Sequence, residues 1–582
     1  MKEESDKTLI VAYIAIIAFF LLIMRLWQIQ ILQGNEYRKL SESNRLRILT
    51  IPAPRGIIFD RNGIPLVKNT PYYYASLIPN EFDKRKVYLL SKVLNIPDDE
   101  ILVKINENSL TPLSPIRLKD GLSFSDVAYI ESRRSDFPGL IIEVEVSREY
   151  IYGDVASHLI GYLGKLTPAQ SKDPAFIDVP LNAFIGQWGV EKLFDKSLRG
   201  TPGKRIIEVN ALGREIRLLQ GTPSIKGEDI TLSLDINLQK EAEKEFGGKT
   251  GALVAINPGN GEVLSIVSKP SFDPNSFTRG MDYDEWTVLS SDKRNPMLNR
   301  ALQSQYPPGS TFKIVTAVAG LEEGVITTDT KVDCKGGINY GKWHFGCWSK
   351  HGMLSLHRAI VESCDTYFYE VGKRLGIEKI YAYAVSFGLG TETGIELVKE
   401  KKGSIPNTEW KRKNKKNPWF IGETFNTSIG QGYVSVTPIQ MAIMTGAAIN
   451  GGNLYRPTLI KGKSPVLTGK LKAKPETLKI IKNALSGVVN ESGGTGWAAK
   501  SQVIDIGGKT GTAQVAGIKK DSQFLPEKLR DHAWFVAFAP VEIPEIALSV
   551  LVEHGGHGAT SAAPIAKKAI EEYMKSKNKH QS

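Results

Sequence analysis

A serine and a lysine three residues apart, Ser310 and Lys313, are the first residues in this chain whose spacing suggests chemistry. If a helix begins at Ser310, the two side chains share a face, so the lysine amine can take the serine proton. Such a pair is a nucleophile with its base. The Pro-Pro-Gly sequence at 307–309 ends the preceding element, and the apolar run 314–321 predicts a helix that enters a core.

Spacing alone does not single out Ser310. Ser290/Lys293 and Ser576/Lys579 repeat it, and an ordinary helix N-cap is the structural alternative for such a serine. A choice among the three pairs therefore depends on other motifs in the chain.

Two short polar patterns lie downstream of Ser310. They are Ser363-Cys364-Asp365, which precedes a predicted helix, and Lys509-Thr510-Gly511-Thr512, which follows a predicted strand at 503–506. Each pattern occurs elsewhere in the chain, at 233–235 and 249–251. Their order and separation after Ser310, with strands near the C-terminus to bring the last motif beside the serine, favour Ser310 as the nucleophile.

This ordered set resembles the S-x-x-K, S-x-N and K-T-G motifs of penicillin-binding proteins and serine β-lactamases. The resemblance covers nearly the whole chain, because 55–63 is similar to the first motif of the class B pedestal and 186–203 to its second. The Gly-Gln-Gly sequence at 430–432 is similar to a loop of the transpeptidase domain. Within class B, the Ser-Cys-Asp motif followed by Tyr-Phe-Tyr looks most like the elongation type. Asp365 stands where the family usually has asparagine.

The resemblance implies an α+β protein. We expect a cytoplasmic tail (1–7), a transmembrane anchor (8–30), a β-rich, dimerisation-type pedestal (31–237), a transpeptidase domain of the penicillin-binding and serine β-lactamase type (238–574) and a tail (575–582). The transpeptidase domain should be an antiparallel sheet with helices on both sides. Sequence patterns in it predict a hairpin at 251–268, helices at 356–374 and 563–574, and strands at 503–506, 512–515, 533–539 and 546–552.

The family's chemistry assigns a role to each motif. Ser310 would attack the penultimate D-Ala carbonyl of a stem peptide, releasing D-Ala and leaving an acyl-enzyme. Lys313 would be the base, and Ser363 would relay a proton to the leaving amine. The backbone N–H groups of Ser310 and Thr512 would form the oxyanion hole. The expected catalytic residues are Ser310, Lys313, Ser363, Asp365 and Lys509, and the expected substrate-binding residues are Thr510, Gly511 and Thr512.

Three cysteines and a histidine form a second candidate site, consisting of Cys334, Cys347, His351 and Cys364. Three thiolates and an imidazole suit tetrahedral zinc, which would brace the wall of the active site at Cys364. The elongation-type family also has a metal site in this region. Buried free thiols, or one disulfide and one remaining thiol, are the alternatives. His344 and His357 are nearby alternative ligands.

The N-terminus predicts the compartment. Residues 9–24 form an unbroken apolar run of 16 residues, and 25–27 can extend it to membrane-spanning length. No small-residue cleavage site follows, so we expect an uncleaved anchor. The flanking charges are nearly balanced, but a short tail followed by a large body predicts that the body lies outside the cytoplasm. We therefore expect a single-pass protein of the bacterial inner membrane with a periplasmic catalytic domain.

The net charge of +12 suits an anionic partner such as a lipid surface. The chain has no zinc-finger spacing, RNA-binding aromatic signature or long basic helix, so we expect no nucleic-acid partner. The basic stretch 399–416 is predicted to be a solvated loop rather than a lipid-binding one.

Several functions are compatible with these motifs, and most of them use the same serine chemistry. The resemblance implies a D,D-transpeptidase of cell-wall elongation that acts on peptidoglycan stem peptides and is inhibited by β-lactams. Its implied partners are a membrane glycan polymerase of the SEDS type and proteins of the elongation complex. A D,D-carboxypeptidase, a β-lactam sensor and a catalytically silent membrane scaffold are the alternatives. Transpeptidation and carboxypeptidation differ only in the acceptor, an amine or water, which the sequence does not reveal.

Overall fold

The computed structural model describes residues 2–108, 115–177, 179–180, 183–209, 215–397, 399–515 and 526–581. The chain separates into two compact units. The first comprises Met1–Gly56, Asn69–Ser147 and Arg199–Glu228, and the second comprises Ile57–Lys68, Arg148–Leu198 and Asp229–Ser582.

An apolar helix, α1 (Lys2–Trp27), begins the first unit and continues as a π-helical turn, Gln28–Leu32. The segment Leu9–Leu32 has 24 residues and a mean hydropathy of 2.7. At 1.5 Å per residue it is about 36 Å long, enough to cross a hydrocarbon layer of about 30 Å. By length and composition it is the one such helix among the described residues.

The rest of the first unit is a small α+β structure. Its helices are α2 (Gly34–Arg45), α3 (Val87–Leu94), α4 (Asp98–Glu107) and α5 (Phe124–Ser132), and its strands are β1 (Leu46–Ile51), β4 (Ile116–Leu122), β8 (Gly203–Val209), β9 (Glu215–Thr222) and parts of β3 (Pro65–Leu77) and β5 (Leu140–Tyr150). Strands β1, β8 and β9 form an antiparallel sheet. Buried leucines and isoleucines of α3 and α4, among them Leu90, Leu94, Ile101 and Ile105, pack against β3 and β4.

The second unit holds all the residues predicted to do chemistry. Its helices are α6 (Ser157–Ile160), α7 (Gly189–Leu193), α8 (Asp195–Arg199), α9 (Ile236–Glu245), α10 (Pro274–Arg279), α11 (Tyr283–Ser291), α12 (Arg300–Gln303), α13 (Lys313–Glu322), α14 (Leu356–Val361), α15 (Asp365–Leu375), α16 (Ile377–Ser386), α17 (Thr408–Lys415), α18 (Ile421–Ser428), α19 (Pro438–Ile449), α20 (Pro475–Asn490), α21 (Gly558–Ser561) and α22 (Ala563–Gln581). Its strands are β2 (Ile58–Phe59), β6 (Leu163–Lys165), β7 (Phe184–Gly186), β10 (Ile230–Thr231), β11 (Gly251–Ile256), β12 (Val263–Lys269), β13 (Val332–Cys334), β14 (Gly337–Tyr340), β15 (Trp343–Gly346), β16 (Gly352–Leu354), β17 (Asn453–Tyr455), β18 (Leu467–Lys470), β19 (Gly507–Ala513), β20 (His532–Ala539) and β21 (Ile546–Val552).

A five-stranded antiparallel sheet organises this unit, in the order β12-β11-β21-β20-β19. Successive side chains of a strand point to opposite faces. Ala252 and Val254 of β11 therefore pack in one core with α13 and α19, while Leu253 and Ala255 pack in another with α9 and α22. The α+β class, with helices on both sides of an antiparallel sheet, is confirmed.

Strong apolar patterns predicted their elements well. The hairpin at 251–268, the strands at 533–539 and 546–552 and the closing helix are all present. The hairpin of β2 and the start of β3 also forms, with Ile58 opposite Val67.

Three predictions for local structure are wrong. Residues 503–506 form no strand, and β19 instead runs over Gly507–Ala513, ending before most of the predicted 512–515. Its two leading glycines carry no β signal, and a Cβ on Gly507 would lie 2.4 Å from Cζ of Phe538. The predicted loop 399–416 contains α17, whereas the helices predicted over 356–374 are present as α14 and α15.

Candidate active site

Ser310 lies in a single 3-10 turn, Gly309–Phe312, that leads into α13. The α-helix predicted to begin at Ser310 begins at Lys313, because the Lys313 N–H donates to the Ser310 carbonyl three residues back. Ser310 is half-buried, whereas Lys313 has no exposed surface. The nucleophile candidate is thus partly exposed, whereas the lysine three residues later is buried.

Backbone from two distant parts of the chain lies directly against this turn. Gly309 has φ +55°, and a Cβ on it would lie 2.5 Å from the Thr512 carbonyl oxygen and 3.1 Å from the Thr512 nitrogen. The Gly309 N–H donates to the Gly430 carbonyl over 2.9 Å. Only glycine leaves room for this approach. Strand β19 and the Gly-Gln-Gly loop therefore form two walls around Ser310.

The Lys313 amine lies among the polar groups of the middle motif. Its Nζ donates to the Ser363 carbonyl (2.8 Å), to Ser363 Oγ (3.2 Å) and to Asp365 Oδ1 (2.7 Å). Within the part of the chain that the structure describes, Ser310 Oγ makes no hydrogen bond. The structure therefore brings Lys313, Ser363 and Asp365 into direct contact and places Ser310 one helical turn away.

Ser363 has an unusual backbone conformation. It lies between α14 and α15 with φ +55°, a left-handed value that costs a residue with a side chain about 1 kcal/mol or more. The main chain turns sharply here, and Asp365 begins the next helix. This break lets Ser363 and Asp365 contact the same amine.

Strand β19 carries the third motif. Lys509 is fully buried, and its Nζ donates to the Thr510 carbonyl over 3.2 Å. Burial, and then the charge of Lys313, hold the pKa of Lys509 well below the usual range of a lysine, while Asp365 opposes the shift. Burial also raises the pKa of Asp365, against the effect of the Lys313 charge.

Three residues outside the predicted set contact the motifs. Thr495 Oγ1 accepts a hydrogen bond from Thr510 Oγ1 (2.9 Å), and Gln431 Nε2 donates to the Thr512 carbonyl (2.9 Å). The Trp348 indole N–H points at the carbonyls of the Ser363 turn. Gln431 lies in a loop that the sequence had singled out, but no sequence signal marks Thr495 or Trp348 as neighbours of the site.

The four predicted metal ligands also meet. Their ligand atoms all lie within 4.8 Å of one another, with His351 Nδ1 at 3.4 Å from Cys334 Sγ and 3.6 Å from Cys347 Sγ, and Cys347 Sγ at 4.0 Å from Cys364 Sγ. Bonds of 2.0–2.3 Å to a tetrahedral zinc would place ligand atoms about 3.5–3.8 Å apart. The three cysteines are free thiols, so the predicted alternative of a disulfide is not present. The donor set fits a zinc ion.

The cluster adjoins the middle motif. Cys364 lies between Ser363 and Asp365, and the Asp365 N–H donates to Cys347 Sγ over 3.2 Å. Cys334 and Cys364 are buried, and His351 Nε2 is a buried atom without a hydrogen-bond partner among the described residues. This Cys/His cluster therefore contacts the turn that contains Ser363.

Comparisons with known proteins agree with this arrangement. The chain matches the family described as penicillin binding protein transpeptidase domain over residues 251–571 and the penicillin-binding protein dimerisation domain over residues 50–232. It is 35% identical to the peptidoglycan D,D-transpeptidase MrdA of Acinetobacter baumannii, and the match covers 97% of this chain and 87% of that protein.

Solved structures show the same likeness. A complex between penicillin-binding protein PBP2 and MreC from Helicobacter pylori contains a chain with 31% identity and a TM-score of 0.79, covering 91% of this chain and 99% of that one. A structure described as the coordination of polymerization and crosslinking by a peptidoglycan synthase complex matches with 30% identity, a TM-score of 0.76 and 97% coverage of both chains. With its three motifs gathered around the Ser310 turn, the chain belongs to the penicillin-binding proteins that carry a dimerisation domain and a transpeptidase domain.

Proposed function

We propose that this chain is a peptidoglycan D,D-transpeptidase of cell-wall elongation that works through an acyl-enzyme on Ser310. The observation that carries the proposal is the meeting of three motifs, far apart in sequence, around the half-buried Ser310 hydroxyl. A relative named peptidoglycan D,D-transpeptidase, similar over 97% of the chain, supports the same reaction.

Acylation requires that a buried amine be neutral. Asp365, whose pKa is raised by burial, lies 2.7 Å from Lys313 Nζ and can hold the proton that the lysine must release. The neutral amine then takes the Ser310 proton as Oγ attacks the penultimate D-Ala carbonyl. Ser363 Oγ, 3.2 Å from the same amine, passes a proton to the leaving D-Ala nitrogen as the peptide bond breaks. The acyl group remains on Ser310.

Strand β19 supplies the binding groups in this mechanism. The N–H groups of Ser310 and Thr512 stabilise the negative oxygen of the tetrahedral intermediate, and one such donor lowers the barrier by about 3 kcal/mol. Lys509, Thr510 and Thr512 bind the carboxylate of the terminal D-Ala, with Gly511 allowing the strand to approach the Ser310 turn. A Cβ on Gly511 would lie 2.9 Å from the Pro308 carbonyl oxygen, which supports that close approach.

The second half of the reaction determines the product. The amine of a neighbouring stem peptide attacks the acyl-enzyme, forms a new amide bond and returns the proton to Ser310. Water in place of the amine would give a shortened peptide instead, which is carboxypeptidation. Product analysis with lipid-linked substrate and a glycan polymerase should yield mainly cross-linked peptides; shortened peptides alone would contradict transpeptidation.

Covalent labelling tests the nucleophile. A fluorescent penicillin should label the full-length protein, and Ser310→Ala should abolish the label because this variant lacks the hydroxyl on which the proposed acyl-enzyme forms. Ser290→Ala, in a pair with the same spacing on exposed α11, is the matched control and should label normally. Undiminished labelling of Ser310→Ala would contradict the assignment of Ser310 as the nucleophile.

We also propose that Cys334, Cys347, His351 and Cys364 hold a structural zinc ion. Bound there, zinc would fix the fold of the segment that carries Ser363, without taking part in the chemistry. Metal analysis of the purified protein should give about one zinc per chain. Cys334→Ser should lower this value sharply, whereas His344→Ala, on the neighbouring strand β15, should leave it unchanged. Substoichiometric zinc in the unmodified protein would contradict the site.

We place the protein as a single-pass component of the bacterial inner membrane, anchored by α1, with both the dimerisation-type pedestal (31–237) and the transpeptidase domain (238–574) in the periplasm. Relatives solved with MreC and within a peptidoglycan synthase complex support partners of two kinds, an elongation-complex protein and a membrane glycan polymerase.

A further inference from the structure

The indole N–H of Trp348 donates hydrogen bonds to the turn that contains Ser363, although the ring itself is largely exposed. Its side chain is 64% exposed, and its Nε1 donates to the carbonyls of Glu362 (3.1 Å) and Ser363 (3.3 Å). These carbonyls follow the end of α14, where helical C=O groups lack partners within the helix. An exposed ring contributes little to packing, so the hydrogen bonds of its N–H are the main interaction between this side chain and the turn.

The Ser363 carbonyl receives two donors at once. Lys313 Nζ lies 2.8 Å from this oxygen and 3.2 Å from Ser363 Oγ, so the direction of the carbonyl also sets the distance between amine and hydroxyl. Ser363 holds a left-handed φ of +55°, which persists only where neighbouring groups fix it. The Ser363 carbonyl is held by two donors, the exposed Trp348 and the buried Lys313.

Trp348 also contacts the Cys/His cluster formed by Cys334, Cys347, His351 and Cys364. It directly follows Cys347 in the chain, and its ring lies edge-on to the imidazole of His351 with 5.0 Å between centroids. Movement of the segment 347–351 would therefore move the indole N–H away from the Ser363 carbonyl. The cluster thus reaches Ser363 in two ways, through Cys364, which follows Ser363 directly in the chain, and through Trp348, by a ring contact and a shared hydrogen bond.

We propose that Trp348 is a positioning residue, which holds the carbonyl of Ser363 and so transmits the order of the Cys/His cluster to the hydroxyl that relays the proton. This inference rests on the proposed acyl-enzyme chemistry. It predicts a loss in the acylation step rather than in the binding of β-lactam.

The first test removes the N–H and keeps a ring. Trp348→Phe in the full-length protein should slow the first-order acylation by a fluorescent penicillin about fivefold to tenfold, the effect of one lost hydrogen bond. The concentration giving half-maximal acylation rate should stay the same. Trp343→Phe is the matched control, because Trp343 is 65% exposed on the neighbouring strand β15 and contacts Lys342 instead of the motif. Its acylation rate should equal that of the unmodified protein.

A second variant separates the hydrogen bond from folding. Benzothienylalanine at position 348 has the shape of tryptophan without the N–H, so it should slow acylation as much as Trp348→Phe and leave the unfolding temperature unchanged. Unmodified rates in this variant would overturn the proposal. If instead the unmodified protein is not labelled at all, the proposed function fails and not this inference alone.

A double-mutant cycle tests the link to the cluster. His351→Ala should slow acylation by itself, and adding it to Trp348→Phe should cause little further loss, because both act on the same hydrogen bond. Effects that multiply would show that the cluster reaches the active site by another route and would overturn the link through Trp348.

Discussion

At the scale of single residues, Lys509 is the group whose chemistry depends most on where the fold places it. It is an amine without exposed surface, and burial together with the charge of Lys313 lowers its pKa well below the ordinary lysine value. Only the protonated amine attracts a carboxylate. Its contribution to β-lactam binding should therefore be complete at low pH and disappear as the pH rises through the lowered pKa.

We accordingly expect the second-order rate constant of acylation to fall on the alkaline side with a midpoint well below pH 10.5. Lys509→Arg keeps its charge throughout this range, so the alkaline fall should move to higher pH even if the rate is lower overall. Lys479→Arg, on α20 away from the motifs, should leave the profile unchanged. The same midpoint in Lys509→Arg and the unmodified protein would show that another group titrates.

At the scale of elements, the contact of the Ser310 turn with β19 depends on Gly309, which has no side chain. Gly309→Ala would put a methyl group 2.5 Å from the Thr512 carbonyl oxygen, so the turn and the strand must move apart. A displacement of about 1 Å at a reacting group can cost roughly 100-fold in rate. Penicillin acylation of Gly309→Ala should fall by about that factor.

Gly324→Ala gives the matched comparison for this variant. Gly324 follows the other end of α13 with a similar φ of +65°, but nothing lies within 4 Å of its added Cβ. It should lower stability by about 1 kcal/mol through backbone strain and leave the acylation rate nearly unchanged. Equal acylation rates in the two variants would contradict the importance of the contact with β19.

The same elements show what sequence reasoning can reach. Continuous apolar strands such as β20 and β21 are predictable because burial on both faces demands apolar residues at every position. Strand β19 begins with two glycines that pack closely against β20, and glycines add nothing to a hydrophobic pattern. The turn at Ser363 contacts Lys313 and Trp348, which are distant in sequence, so no local pattern encodes its conformation. The motif residues were predicted as a group, but their pairing was not: the amine of Lys313 contacts Ser363 and Asp365 and not Ser310.

At the scale of the whole molecule, α1 is long and apolar enough to cross a membrane. Its side chains are largely exposed, as at Phe19 and Phe20 (66% and 61%), and this suits contact with lipid. Arginine near the centre of a spanning helix costs about 2.5–3.5 kcal/mol per residue. We expect Ile16→Arg with Phe20→Arg to release the chain from the membrane pellet.

Tyr283→Arg is the control for this prediction. Tyr283 is 82% exposed on α11 in the second unit, and its replacement should leave the protein in the membrane pellet. Protease added to the outside of spheroplasts should digest the body of the unmodified protein. Resistance of the body to external protease would contradict a periplasmic catalytic domain.

The pairing of β11 with β21 has a consequence for biosynthesis. Val254 lies opposite Ser549, so β11 finds this partner only after the chain has been made as far as β21. Pairings between residues so distant in sequence form late and slowly. A nascent chain that already includes Ser310 and Ser363 therefore still lacks a complete sheet. We therefore expect chains arrested before residue 546 to remain unlabelled by a fluorescent penicillin, and chains that include all of β21 to be labelled.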